Sequence, residues 1–166
     1  MNKIGILLCL IFLSFGCNTD DVDVEQVLMD MLTAIEKYRN NEIAAGTDIA
    51  MVWVNNYRYF VSIGKDWDYV FQYRVFTTLT HSKESYLKKE AAYRNRFVSL
   101  FGAPSEIEAN EYAEDGIITW MVEAKKYTMF DRLKNIEGYN GFLEIIIVSK
   151  NYLYDGSKNI DVILIF

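Results

Sequence analysis

Trp67-Asp68-Tyr69-Val70-Phe71-Gln72-Tyr73-Arg74-Val75 decides the fold. Trp67, Tyr69, Phe71, Tyr73 and Val75 fall on one side of an extended chain, and Asp68, Gln72 and Arg74 on the other. A period of two belongs to a strand, not a helix. The run predicts a strand over 67–79 whose aromatic side is the core face of an antiparallel sheet. Trp67, Tyr69 and Tyr73 also have the chemistry of a platform on which a sugar or peptide stacks.

Working outward, 49–54 and 57–63 flank Asn55-Asn56. Asn tolerates the left-handed conformation that tight hairpins need, so two strands joined by a turn are expected. Gly64-Lys65-Asp66 makes the next turn. Before these strands, Val24, Val27, Leu28, Met31, Leu32, Ile35 and Tyr38 recur at helical spacing within 22–45. Four acids at the start suit the positive end of that helix, and Gly46 suits its stop. After them, Ser82 is placed to cap a second helix over 82–101. Leu87, Ala91, Val98 and Phe101 form its apolar stripe, joined by Tyr86, Tyr93, Phe97 and Leu100. Gly102 and Pro104 end it.

Segments 106–113 and 117–124 read as a hairpin around Glu114-Asp115-Gly116. Thr128 with Asp131 has the spacing of a capping box, and Gly138 closes that short helix. Segments 141–150 and 159–166 close the chain as two strands around Asp155-Gly156-Ser157. Both are apolar on both faces, which predicts central strands covered on both sides. The fold class is therefore α+β: a mainly antiparallel sheet packed against two long helices and one short helix.

The first residues do not belong to that domain. Lys3 precedes a 12-residue apolar run, Ile4 to Phe15, too short for the roughly 20 residues of a membrane span. Leu13-Ser14-Phe15-Gly16-Cys17 follows the charge, and resembles the bacterial lipobox. The resemblance implies a signal peptide over 1–16, lipid attachment at Cys17, a tether over 17–21 and one domain over 22–166. It also implies the outer membrane of a Gram-negative bacterium, because no Asp follows Cys17 directly. Asp20, Asp21 and Asp23 resemble the acidic run of lipoproteins exported to the cell surface. Cys9 would leave with the signal, and lipidation accounts for the remaining exported thiol.

Cleavage would remove 16 of 166 residues, with one of 17 basic residues and none of 23 acids, so the net charge moves from −6 to −7. That balance disfavours nucleic acid and adhesion to anionic headgroups. Membrane contact is expected through the N-terminal lipid alone.

The passage Phe101-Gly102-Ala103-Pro104, a hairpin, then Trp120-Met121-Val122 is similar, over 82–122, to a unit of small envelope lipoproteins and β-lactamase-inhibitor-like proteins. There a helix ending at Gly-x-Pro feeds a hairpin bearing an aromatic. The resemblance implies protein binding without catalysis.

His81 is the one histidine and has no nucleophile motif to serve. Two cysteines and one histidine make no zinc cluster, and Asp155-Gly156-Ser157 lacks the distal Glu of a calcium loop. Gly64-Lys65 lacks the upstream glycine of a phosphate loop. Asp66/Asp68 and Glu106/Glu108 are the carboxylate pairs an envelope hydrolase would need. No metal, cofactor or catalytic residue is expected. Lys125, Lys126 and Tyr127 form a local basic spot suited to an acidic partner. The reading is a non-enzymatic, lipid-anchored binding module for an envelope or foreign protein, inhibitor-like or immunity-like. A surface glycan-binding lipoprotein is the alternative, and a carboxylate-dependent hydrolase the third.

Overall fold

The hairpin at Asn55-Asn56 sets the first edge of the sheet. Both residues are left-handed, at φ 47° and 68°, as a two-residue turn requires. They join β1 (Ala50–Val54) to β2 (Tyr57–Lys65), paired Val54 with Tyr57 and Ala50 with Val61. The computed structural model describes residues 23–40, 49–65, 71–109, 116–136, 138–151 and 158–166.

β3 (Phe71–His81) pairs with β2, and His81 ends it one residue before α2. β4 (Glu106–Ala109), β5 (Gly116–Glu123), β6 (Phe142–Asn151) and β7 (Lys158–Ile165) complete a seven-stranded sheet. Its order is β1-β2-β3-β7-β6-β5-β4, and every pair is antiparallel. The fold is α+β, with β7 fourth of seven and so central, as its apolar sequence requires.

Helix α1 (Val24–Asn40) and helix α2 (Lys83–Phe101) have 17 and 19 residues, about five turns each. They are shorter than the long helices expected. The stretch of the first prediction beyond Asn40 lies outside the described residues. Asp23 Oδ1 accepts the Glu25 N–H at 3.0 Å and so caps α1. Ser82 holds the cap position of α2, but its hydroxyl faces Ser85 Oγ at 3.1 Å and caps no backbone N–H. The third helical region is 3-10, in two pieces, Ala124–Lys126 and Thr128–Asn135. Tyr127, not Thr128, holds the cap position and makes no side-chain capping hydrogen bond, so Thr128 does not stand where a capping box needs it. Gly64 and Lys65, expected in a turn, continue β2 and pair with Gln72 and Phe71.

One core joins helices and sheet. Val52, Val54, Tyr59, Val61, Tyr73, Val75 and Leu79 supply its first half. Ile118, Trp120, Val122, Leu143, Ile145, Ile147, Ile160, Val162 and Leu164 supply the second. Against them pack Leu28, Met31, Leu32 and Ile35 of α1, Tyr86, Tyr93 and Phe97 of α2, and Phe130 and Leu133 of the 3-10 region. The stripe of α2 is thus aromatic, and Leu87, expected within it, is 71% exposed. Flat aromatic rings span the gap between a helix and a pleated sheet better than a Leu on the next residue, which points about 100° away.

Polar ties fix α1 in place. Arg132 Nε donates to Glu36 Oε1 at 2.6 Å, and its Nη2 completes the fork to Oε2. Arg96 of α2 pairs with Glu25 in the first turn of α1. The Arg132 hydrogen bond holds the Glu36 carboxyl below its ordinary value of 4.5, against a smaller opposing push from burial. A carboxyl depressed on folding adds stability above its unfolded pKa and loses it as pH falls through the folded one. Urea midpoints of wild type and Glu36→Gln should therefore differ at pH 6, by no more than about 1 kcal/mol because the pair is part-exposed, and converge toward pH 3.

The chain's last residue extends the β3–β7 ladder. Phe166 N–H donates to Tyr73 O at 3.0 Å, and Tyr73 N–H to Phe166 O at 2.8 Å. Its ring stacks on Tyr73 at 5.3 Å and meets Tyr139 edge-on at 6.2 Å. Phe166→Ala should lower stability by about 2 kcal/mol, read as a shifted urea midpoint.

Candidate functional site

The strand period fixes what stands on the face away from the core. The residues between the core positions are Met51 and Trp53 on β1, Phe60 and Ser62 on β2, and Arg74, Phe76 and Thr78 on β3. β7 adds Asp161, Ile163 and Ile165, β6 adds Glu144, Ile146 and Val148, and β5 adds Ile117, Thr119 and Met121. None of these belongs to the core cluster or packs against it. Among the described residues no helix lies on this face, yet β7 is buried at six of its eight positions and β6 at Ile146, as the apolar closing strands predict.

Register aligns these residues in rows. Met51, Phe60, Phe76, Ile163, Ile146, Thr119 and Glu106 are successive cross-strand partners over all seven strands. Phe60 and Phe76 stack at 5.0 Å within that row. A second row runs Ser62, Arg74, Ile165, Glu144, Met121. A third runs Thr78, Asp161, Val148, Ile117, Glu108. Toward the middle of the face Ile146 and Ile165 are each 9% exposed. The flanks are open, with Met51, Trp53 and Met121 all 56–57% exposed and Phe142 at 49%. The exposed apolar residues of this face thus gather at its two flanks, Met51 and Trp53 at one and Ile117, Met121 and Phe142 at the other.

Charge is divided across this face. Arg58 and Arg74, both exposed, belong to the β2–β3 side. Glu106, Glu108 and Glu144 belong to the β4–β6 side. The Arg58 guanidinium lies 6.0 Å from the Trp53 ring, in range of a cation–π contact.

The residues singled out from sequence fall elsewhere. Cys17, Trp67 and Tyr69 lie outside the described residues. Tyr73 is 8% exposed, on the core face beneath Phe166. Lys125 and Lys126 are exposed, and both approach Glu123 Oε2, at 3.9 and 3.0 Å. The Lys126 contact holds the Glu123 carboxyl below its usual range. Tyr127 is half-buried, edge-on to Phe101 at 5.2 Å and to Phe130 at 6.2 Å. Its ring belongs to the packing of α2 on the 3-10 segment, apart from the two lysines. Glu106 and Glu108 share one face of the edge strand β4, and Asp66 and Asp68 lie outside the described residues.

No family model, curated protein or solved structure matches this chain. The open face thus rests on its own geometry. A trace of it is present in the sequence: β1, β2, β6 and β7 carry apolar residues at both parities, and the described helices pack on one side of the sheet.

Proposed function

We propose that this chain is a lipid-anchored, non-enzymatic binding module of the bacterial outer membrane, and that its partner is a protein. The open sheet face carries the reading. Met51, Phe60, Phe76, Ile163, Ile117 and Met121 offer apolar contact area rimmed by charges, the anatomy of a protein interface. Met adapts to irregular partners, and Trp53 beside Arg58 supplies residue types that dominate interface energetics. An inhibitor or immunity-like role is one form of this function. A sugar would instead need stacking rings interleaved with hydrogen-bonding groups, and the central row from Met51 to Ile146 has no polar side chain.

The anchor reading rests on Leu13 to Cys17 and places the domain close to the membrane on a short tether. Two or more acyl chains hold a protein firmly where one does not. Cys17→Ser should move the protein from the membrane fraction to the soluble fraction, or halt its processing, with the domain's thermal unfolding unchanged. A Cys17→Ser protein still extracted only by detergent would overturn the anchor. For the face, affinity capture of the full chain from detergent-solubilised envelopes should recover a stoichiometric protein, lost in Phe76→Asp. A partner retained by Phe76→Asp would remove the face from the account.

A further inference from the structure

We infer that the β1–β3 flank of the open face seats an acidic segment of a partner protein, in which two carboxylates bracket a large apolar side chain. The inference rests on the protein-binding reading above and names the chemistry of that partner.

Cross-strand register builds the flank. Met51, Phe60 and Phe76 form one row. Phe60 and Phe76 stack at 5.0 Å and are half-buried, so the row is a firm apolar floor. Trp53 and its partner Arg58 stand on one side of that row, and Arg74, partner of Ser62, on the other. Both arginines are exposed, and Met51 and Trp53 are 56% exposed. None of these side chains is buried, in contrast to most of β7 between the two flanks. Lys37 Nζ already holds the Trp53 carbonyl at 2.9 Å, so a charged side chain guards the edge of β1. The partner is thereby directed onto the face and away from the edge.

Charge selects the partner. The chain has 23 acids against 17 basic residues, yet the outward positions of β1, β2 and β3 carry no carboxylate. Among the described residues, Arg58 and Arg74 make no ion pair, whereas Arg94, Arg96 and Arg132 each do. Arg is the side chain best shaped to bind a carboxylate through two parallel hydrogen bonds. Arg58 and Arg74 stand four residues along β2 and one strand across, about 14 Å apart, with the Phe60–Phe76 floor between them. A matching segment therefore places an acid over each arginine and an apolar side chain on the floor. An anionic membrane fits less well. A planar bilayer against this face would also meet Glu144, Glu106 and Glu108. Two arginines also fall short of the basic clusters that hold proteins to such surfaces. A protein segment can be confined to three strands and avoid those acids.

Selection from a displayed library of random peptides, by the full-length chain in mild detergent, tests this. Enriched peptides should carry Asp or Glu on both sides of a Trp, Phe, Leu or Met. The most enriched peptide, synthesised, should bind Arg58→Glu and Arg74→Glu at least about tenfold more weakly than wild type, since like charges then face each other. Its counterpart with Asn and Gln in place of the acids should bind wild type weakly by a similar factor, a comparison that needs no variant to fold. Selection by R58E/R74E, shown folded by thermal unfolding, should enrich Lys and Arg where wild type enriches acids. Water-soluble dihexanoyl phosphatidylglycerol should not displace the peptide. Enrichment of peptides without acids, or of none, overturns the inference. So does an affinity indifferent to both arginines, and displacement by the short-chain lipid would assign the flank to anionic headgroups instead. If the inference fails while envelope capture through Phe76 succeeds, the acidic chemistry alone falls and the proposed function stands. If the capture fails as well, both fall.

Discussion

Trp120→Ala should lower the unfolding free energy by about 3–5 kcal/mol, the range for removing a large aromatic from a core. Trp120 is 1% exposed on β5, opposite Ile145 of β6. Its ring meets Phe97 of α2 edge-on at 5.4 Å. Its Nε1–H donates to the carbonyl of Gly102 at 3.1 Å. Gly102 is the residue on which α2 ends, at φ 85°, and its own N–H returns to Val98 O at 2.9 Å. One side chain therefore fixes both the packing of α2 on the sheet and the point where the chain leaves the helix. Alanine would leave a cavity and remove the hydrogen bond to the Gly102 carbonyl. Phenylalanine would keep most of the apolar area and lose only the hydrogen bond, about 1 kcal/mol. Urea unfolding of both variants separates the two effects, and a loss below 1 kcal/mol in Trp120→Ala would contradict the account.

Asp30→Ala should cost about 3 kcal/mol, by a different mechanism. Asp30 is a carboxylate on α1 that is 3% exposed. It accepts hydrogen bonds from Gln26 Nε2 at 2.7 Å and Asn55 Nδ2 at 2.8 Å on one oxygen, and from the Tyr59 hydroxyl at 3.3 Å on the other. Burial, and then the nearby Asp30 charge, push the Tyr59 phenol well above its usual range, so it remains a donor. Asn55 is the first turn residue between β1 and β2, and Lys37 Nζ reaches Trp53 O at 2.9 Å beside it. The cluster thus pins the first hairpin to α1. Truncation strands the fully buried Tyr59 hydroxyl, worth about 1–3 kcal/mol when unsatisfied, and loses the tie to the exposed Asn55 amide as well. In the background of Tyr59→Phe and Asn55→Gly the same truncation should cost less, because those donors are gone. Equal costs in both backgrounds would show that the cluster is not coupled.

Much of this fold is legible in the sequence, and the reasons differ by element. Asn55-Asn56 declares its hairpin because few residues accept positive φ twice in succession. The two closing strands declare their central place because alternate residues are apolar at both parities. The element order α-β-β-β-α-β-β-helix-β-β follows from such local signals. The stripe of α2 was less legible, since Leu87 and Tyr86 are adjacent apolar residues and only packing decides that Tyr86 turns inward. The Thr128–Asp131 spacing occurs in a 3-10 segment as readily as at a helix start. The open face was the least legible feature. An apolar residue reports that it avoids water, and does not report whether a helix of its own chain or another molecule covers it. Tyr73 shows the converse, an aromatic with the chemistry of a binding platform that the core has taken.

The open face is most directly tested by oxidative footprinting of methionines. Met51 and Met121 stand on it at 56% and 57% exposure, and Met31 of α1 is fully buried as an internal control. In full-length protein dispersed in detergent at high dilution, Met51 and Met121 should oxidise readily and Met31 should not. In intact envelopes at native abundance, Met51 and Met121 should become protected to the level of Met31. Equal oxidation of Met51 and Met121 in both settings would contradict the account, because the face would then be bare in the envelopes to which we propose the protein belongs.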